Sequence, residues 1–379
     1  MILVGDAVRH AAYERALCRG HGYESRLDVF YQGQQIDSLS LADDLAGGRV
    51  EVTARNRERR TLRLTAAQRR WPVAAASALS PYGVWGQAWV TITAGTVRFP
   101  DIPVWAGKLL TTGRVRWSGQ VTVTGVDPMW QINREPFEVL RPAPRGMEVV
   151  SAILMLLQEV LPDATLDDRT GSTATIPAAT AWDAGAGSRG KTIDELAASI
   201  GAELYAEPWA VAPGGQFVLR PVPTLLDTPA WVLPDGLESV VEADTQLQSG
   251  ATVVNRWIVT SERTDRPLIR EVVTDSDPAS PTRYGGPMGR LTDFYSSPLI
   301  SDNGQARAAG QAKLARSIGS ARARTVRVIA NPALEAGDVI AIGVDGEAPE
   351  YHLADSFDVP LSPDPASMSI STRSVGGTE

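Results

Sequence analysis

Arg114-Val115-Arg116-Trp117-Ser118-Gly119-Gln120-Val121-Thr122-Val123-Thr124 decides the fold class. Polar and apolar residues alternate on both sides of Ser118-Gly119, and glycine supplies the positive φ that a tight hairpin turn needs. The same period of two continues upstream. Leu27, Val29 and Tyr31 alternate, Gly33-Gln34 turns the chain, and Ile36 resumes the run. Val50 and Val52 alternate with Glu51 and Thr53, and Leu62 and Leu64 with Arg63 and Thr65. Residues 89–93, 97–99 and 104–110 complete the set, which ends near Asp127-Pro128. Residues 27–135 therefore read as one antiparallel barrel or sandwich.

Residues 1–26 lie before this pattern. Asp6 to Cys18 reads as a short helix with Val8, Ala12 and Leu17 loosely on one side. An N-terminal arm that orders only against a partner is expected. Residues 136–236 read as a small α/β insert. Val150, Ile153, Leu154, Leu157 and Leu161 keep helical spacing over 147–161, and Pro162 follows. A second helix spans 192–201, with Gly201 as its cap, and a hairpin runs through Pro213-Gly214-Gly215. Residues 237–379 read as a second antiparallel barrel, with one helix over 303–317 and a Ser/Gly-rich tail. Ala308, Ala312 and Ala315 share one face of that helix. The chain is mainly β, of the α+β kind, and the layout suggests two similar barrels around the insert.

Composition removes several functions. Hydrophobic residues make up 43% of the chain, enough for real cores. Cys18 is the single cysteine, which excludes a disulfide framework, a thiolate zinc cluster and an iron–sulfur cluster. Three histidines make a catalytic histidine cluster a poor expectation. The net charge of −8 opposes non-specific coating of nucleic acid. The most apolar stretch, 149–157, falls short of the roughly 20 residues a membrane helix needs, and Asp6 and Arg9 interrupt the N-terminus, so no export signal is read.

Individual motifs fare no better as sites. Gly185 to Thr192 has the G-x-x-x-x-G-K-[ST] spacing of a phosphate-binding loop, with Lys191 and Thr192 in place. The preceding residues contain Pro177 and no buried apolar strand, so a glycine-rich loop feeding a helix is the expectation. Cys18 and His21, with His10 nearby, lack a fourth metal ligand. His352 alternates within a strand and reads as structural. Asp167-Asp168, and Asp275 with Asp277, read as solvated loop carboxylates. Arg55, Arg57, Arg59 and Arg60 read as a solvated hairpin tip, with a face toward a negatively charged partner or DNA in a lumen as the alternative. Ten tryptophans are scattered; Trp85 and Trp182, among small residues, read as contact anchors for other proteins. No catalytic, cofactor-binding or metal residue is nominated, and no enzyme activity is expected.

The last region carries a family resemblance. Val253-Val254-Asn255-Arg256-Trp257 is followed by Asp277-Pro278-Ala279-Ser280-Pro281-Thr282-Arg283-Tyr284-Gly285-Gly286 and then Ser296-Ser297-Pro298-Leu299. An Ala-rich helix follows, then Asn331-Pro332-Ala333-Leu334-Glu335-Ala336-Gly337-Asp338, Pro360-Leu361 and the run from Met368 to Arg373. This order resembles the hub proteins of phage tails, particularly minor tail proteins of actinobacterial phages. Val121 to Asp127, Ala202 to Tyr205 and Phe217 to Pro221 fit the same pattern. Physically, Pro332 stops a strand, Leu334 plugs a core and Gly337-Asp338 turns a corner.

The resemblance implies two β-barrels per subunit and a homotrimeric, pseudo-sixfold ring at the virion tail tip or baseplate. Such a ring adapts a sixfold tube to a threefold tip. It binds tail-tube or distal-tail subunits on one face and a spike or receptor-binding protein on the other. The protein would be made in the bacterial host cytoplasm. A related contractile injection machine is an equal setting. No membrane span and no specific nucleic acid are expected; DNA would only pass through the lumen. Any lysin or spike would be another polypeptide. Two rivals stand beside this reading: a tail-associated enzyme acting on carbohydrate or peptidoglycan, and a nucleotide-binding module at Gly185 to Thr192.

Overall fold

The computed structural model describes the chain except residues 41–44, 67–82, 115–119, 178–180, 210–213, 226, 237–238, 249, 252, 263–267, 319–321, 344–347, 363–366 and 374–379. The Ser118-Gly119 turn, Trp71, Trp117, Pro213 and the C-terminal tail lie outside the described residues. The strands on either side of 115–119 pair as the hairpin reading requires, with Arg114 opposite Val121.

Alternation built the expected sheet. Its hydrogen-bonded order runs Val241–Gln248, Arg322–Val328, Met368–Arg373, Glu350–Pro360, Leu45–Thr53, Arg60–Ala66, Val121–Val126, Ile102–Arg114, Val84–Ala94, Gly22–Tyr31, Gln34–Ser40. Each neighbouring pair on this path is antiparallel. The chain is thus mostly β, with two antiparallel β regions flanking a small α/β part. The regions are joined edge to edge, because Val52 pairs with Phe357 and Val50 with Val359. Val50, Val52, Leu62, Leu64, Val121 and Val123 all point into one core that also holds Val326, Leu334 and Ile370 from the far region. Burying alternate residues of both regions in one core is what fixes this pairing.

Residues 1–26 do not wait for a partner. The helix Ala7–Leu17 is capped by Asp6, whose carboxylate accepts the Arg9 N–H. Tyr13 and Leu17 are fully buried in the main core. The Tyr13 hydroxyl donates to Asn331 Oδ1 at 2.8 Å, the Ile2 N–H to the Ala333 carbonyl at 2.7 Å, and the Met1 ammonium pairs with Asp338 at 2.5 Å. The partner of this segment is the chain's own Asn331 to Asp338 corner. Weak amphipathicity hid this, since only Tyr13, Ala16 and Leu17 of the helix are buried.

The α/β part packs the helices Val149–Gln158 and Ser188–Ser199 on a sheet ordered Thr165–Asp168, Gln216–Pro221, Ala202–Glu207. Gly201 sits at φ +69 after the second helix, as a capping glycine does. Thr165–Asp168, expected as loop, pairs parallel with Gln216–Pro221. Trp231–Leu233 pairs parallel with Val339–Ile342 in the main sheet.

Helix Asn303–Ile318 lies on a three-stranded sheet, Arg270–Thr274, Arg256–Ser261, Thr292–Ser297. The last two strands are parallel, in a region expected as purely antiparallel; the strand Arg270–Thr274, antiparallel to Arg256–Ser261, returns the chain between them. The helix buries Ala306, Ala309, Gly310, Leu314 and Ile318, not the expected Ala308, Ala312 and Ala315 face. Trp85 and Trp182 are 8% and 4% exposed and belong to the core of the α/β part, so they are not contact anchors. Among the described residues, no helix is long and apolar enough to cross a membrane.

Candidate functional site

The turn between Leu45–Thr53 and Arg60–Ala66 brings the three parts of the chain together. Arg55 and Arg57 reach solvent and pair with Asp355 and Asp194. Arg59 and Arg60 are only 3% exposed, so the expected solvated tip holds for half of the cluster and fails for the other half. Burying a guanidinium requires a paired, hydrogen-bonded setting. Arg60 finds it in the second β region: its Nη2 donates to both Glu335 oxygens, at 2.7 and 2.6 Å. Its Nη1 donates to the Ala206 carbonyl of the α/β part, and its backbone N–H to Asp127 Oδ2. Arg59 pairs with Glu203 at 3.0 Å. Arg220 shares Glu203 and also donates to the Ala336 carbonyl at 2.6 Å. The Tyr205 ring lies 4.3 Å from Arg59 and 4.9 Å from Arg220, a pair of cation–π contacts.

Electrostatics confirm which groups are charged. Burial pushes Glu203 upward, but the Arg59 and Arg220 guanidinium groups hold it below the usual carboxylate range. Burial opposes Arg60 at Glu335 in the same way, and the cation again wins. Asp127 goes the other way. Burial pushes it up to about 7 despite the Arg60 and Met129 N–H donors it accepts. The folded chain holds that proton where the unfolded chain has released it. Its stabilising contribution is fully present below the ordinary carboxylate value and is lost as pH rises through about 7. Asp127→Asn cannot titrate. Its melting temperature relative to the parent should rise between about pH 5 and about pH 8. An offset that stays constant across that range overturns the assignment.

The arrangement is a clamp. Its side chains neutralise one another, and the corner Asn331 to Asp338 supplies Glu335 and Ala336 to it. Sequence reading placed the corner correctly as structural and missed its charge partner. The signal available was a glutamate set between Leu334 and Ala336.

The phosphate-loop spacing has a different use. The strand before it, Ala181–Trp182, is a two-residue antiparallel element paired with Arg141–Pro142. The loop's groups are engaged within the chain: the Gly185 N–H donates to the Phe137 carbonyl, and the Ser188 hydroxyl accepts the Phe137 N–H. A Cβ on Gly190 would lie 2.0 Å from Asn133 Oδ1, so this glycine serves close packing on the Met129–Arg134 helix. Lys191 is 62% exposed and pairs with Glu195 one turn on. The buried cation is Arg189, which donates to the Glu135 carbonyl and to Glu159 at 2.6 Å. Arg189→Ala should therefore cost about 2 kcal/mol by removing the guanidinium's bonds to Glu159 and to the Glu135 and Leu156 carbonyls, and Lys191→Ala less than about 0.5 kcal/mol. Urea titration reads both; the reverse order would show that Lys191 and not Arg189 holds the loop in place.

The remaining candidates do not converge. Cys18 is exposed. His10 Nδ1 accepts the Val4 N–H, and His21 Nδ1 lies 3.1 Å from the Arg19 carbonyl. His352 is buried between Thr372 and Glu350. Asp275 is buried, not solvated, and accepts from the Ser280 and Thr282 hydroxyls at 2.6 and 2.7 Å to organise its loop. Asp167 pairs with Arg169, and Asp168 accepts from Thr170. Among the described residues, no group of three or more His, Cys, Asp and Glu side chains is set to hold a metal. Among the described residues, Trp209 is the tryptophan that is exposed, at 44%, edge-on to Trp89, and sequence reading did not single it out.

No family model and no curated protein matches the chain. Solved structures do. A tail protein from Neisseria meningitidis MC58 superposes with a TM-score of 0.62 at 12% identity, covering 93% of this chain and 96% of that one. This chain has the fold of phage tail proteins. The 43 kDa tail protein of prophage MuSo2 from Shewanella oneidensis gives 0.57 at 13% identity, over 92% and 98%. The E. coli c3393 protein is described as a type VI secretion component similar to the T4 tail proteins gp27 and gp5. It gives 0.50 at 11% identity, over 93% and 77%. The phage-tail fold covers both β regions and the α/β part together.

Proposed function

We propose that this tail-fold chain is a non-enzymatic structural hub of a phage tail tip or baseplate, or of a related contractile injection machine. It forms a homotrimeric ring that adapts a sixfold tube to a threefold tip. Tail-tube or distal-tail subunits bind one face and a spike or receptor-binding protein the other. The observation that carries this is the near end-to-end match to a tail protein, 93% of this chain and 96% of the other. The likeness to c3393, described as similar to gp27 and gp5, supports the hub position. Two β regions in each of three subunits give six units around a channel, and closed cyclic symmetry ends the assembly without an open edge. A net charge of −8 suits a lumen through which DNA slides.

Light scattering of the purified chain should give about three times 40.5 kDa. A density map of the particle should show a threefold ring with six β lobes at the tail tip. A monomer lying off the tail axis, or a deep catalytic cleft that turns over glycan, would overturn the proposal.

A further inference from the structure

Beside the clamp lies an open cleft of about 440 Å³, between the Arg55–Arg59 turn and the helices Ser188–Ser199 and Asn303–Ile318. Among the described residues, seven cationic side chains line it against three carboxylates, Asp194, Glu195 and Glu203. The chain as a whole carries −8, so the positive excess is local to this cleft.

The carboxylates there are oversubscribed. Glu203 is shared by Arg59, Arg220 and Arg316. Asp355, just outside, is shared by Arg55 and Arg373. Arg59 and Arg373 are 3% and 5% exposed, and among the described residues Arg59 Nε and Nη1 have no hydrogen-bond partner and Arg373 Nε has only its long ion pair with Asp355. Lys313 stacks on the Tyr295 ring at 4.0 Å, not on an acid. Buried guanidinium groups are screened less by salt than exposed ones, so Arg59 and Arg373 add to the positive potential of the cleft.

We propose that this cleft binds a carboxylate-rich peptide segment. Guanidinium forks match carboxylates in a bidentate way. The interspersed Asp194 and Glu195 would oppose the unbroken phosphate row of a nucleic acid, whereas acidic side chains on a peptide can settle on the arginines between them. The segment belongs to a different protein that carries clustered carboxylates; a neighbouring copy of this chain is the other outcome that the test separates. The proposal rests on the local charge, not on the ring.

The test uses the full chain and a fluorescent octaglutamate peptide, read by polarisation. Arg57 and Arg316 are 38% and 50% exposed, and the melting temperature of the double variant R57E/R316E shows whether the fold bears the new carboxylates beside Asp194 and Glu203. Reversing both charges should weaken binding at least about tenfold, and added salt should weaken the parent's binding. Arg145→Glu, at an exposed position outside the cleft, should change it by less than about twofold. If the double variant melts early, Lys191→Glu, at a more exposed lining position, replaces it. Light scattering then assigns the source. A parent oligomer lost in the variant points to a neighbouring copy; an oligomer retained while the peptide is lost points to a different protein. Equal peptide binding by parent and variant overturns the proposal. So does absence of binding at millimolar peptide, or tighter binding of a single-stranded oligonucleotide of equal charge. A monomeric parent that still binds octaglutamate would sink the hub reading and leave this one standing.

Discussion

Glu335→Ala should destabilise the chain by about 3–5 kcal/mol, because it strands the Arg60 guanidinium in the interior without a counter-charge. Arg60 and Glu335 are 3% and 10% exposed, and Glu335 takes two contacts from one guanidinium nitrogen. The pair also spans the largest sequence separation in the clamp, 275 residues. Its loss should therefore lower the stability of the whole fold and not merely fray a local turn. The double substitution Arg60→Met with Glu335→Leu removes both charges and should recover most of that loss, since an apolar pair pays no desolvation. Urea unfolding of the parent, the single variant and the double variant reads the three values. A single variant within about 1 kcal/mol of the parent would show that water reaches Arg60 and that the clamp is not dry.

Gly337→Val should cost roughly 2–6 kcal/mol, from two independent causes. Gly337 has φ +87, a conformation that a β-branched residue adopts only under strain. A Cβ there would also meet Arg220 Nη2 at 2.6 Å and Pro223 Cγ at 3.0 Å, crowding the arginine that serves Glu203 and Ala336. The Gly337 N–H donates to the Ala354 carbonyl at 2.7 Å, so the corner cannot slide away without losing a strand contact. Soluble yield and urea midpoint should both fall. A variant that is as stable as the parent and fails only to assemble would show that the corner is an interface between subunits.

How much of this was legible in the residues varies by element. Alternation at Leu62-Leu64 and Val121-Val123 named the strands, and spacing at Val150, Ile153, Leu154 and Leu157 named the helix. Those patterns are local, set by whether side chains repeat every two or every 3.6 residues. Burial of Leu334 and the positive φ of Gly337 followed from turn chemistry, also local. The helix Asn303–Ile318 was found and its face misassigned, because an alanine-rich helix offers little contrast between sides and the sheet beneath decides which one is buried.

The sequence by itself determined strand and helix, the mainly β class, and the corner at Asn331 to Asp338, because each depends on residues a few positions apart. Tertiary structure alone decided that Leu45–Thr53 pairs with Glu350–Pro360. It alone decided that the first helix docks on Asn331, that Arg59 and Arg60 are buried, and that their partners are Glu203 and Glu335. The physical reason is that an arginine's charge reads as solvent-facing until a specific carboxylate meets it. Here one of those carboxylates sits 275 residues further along the chain.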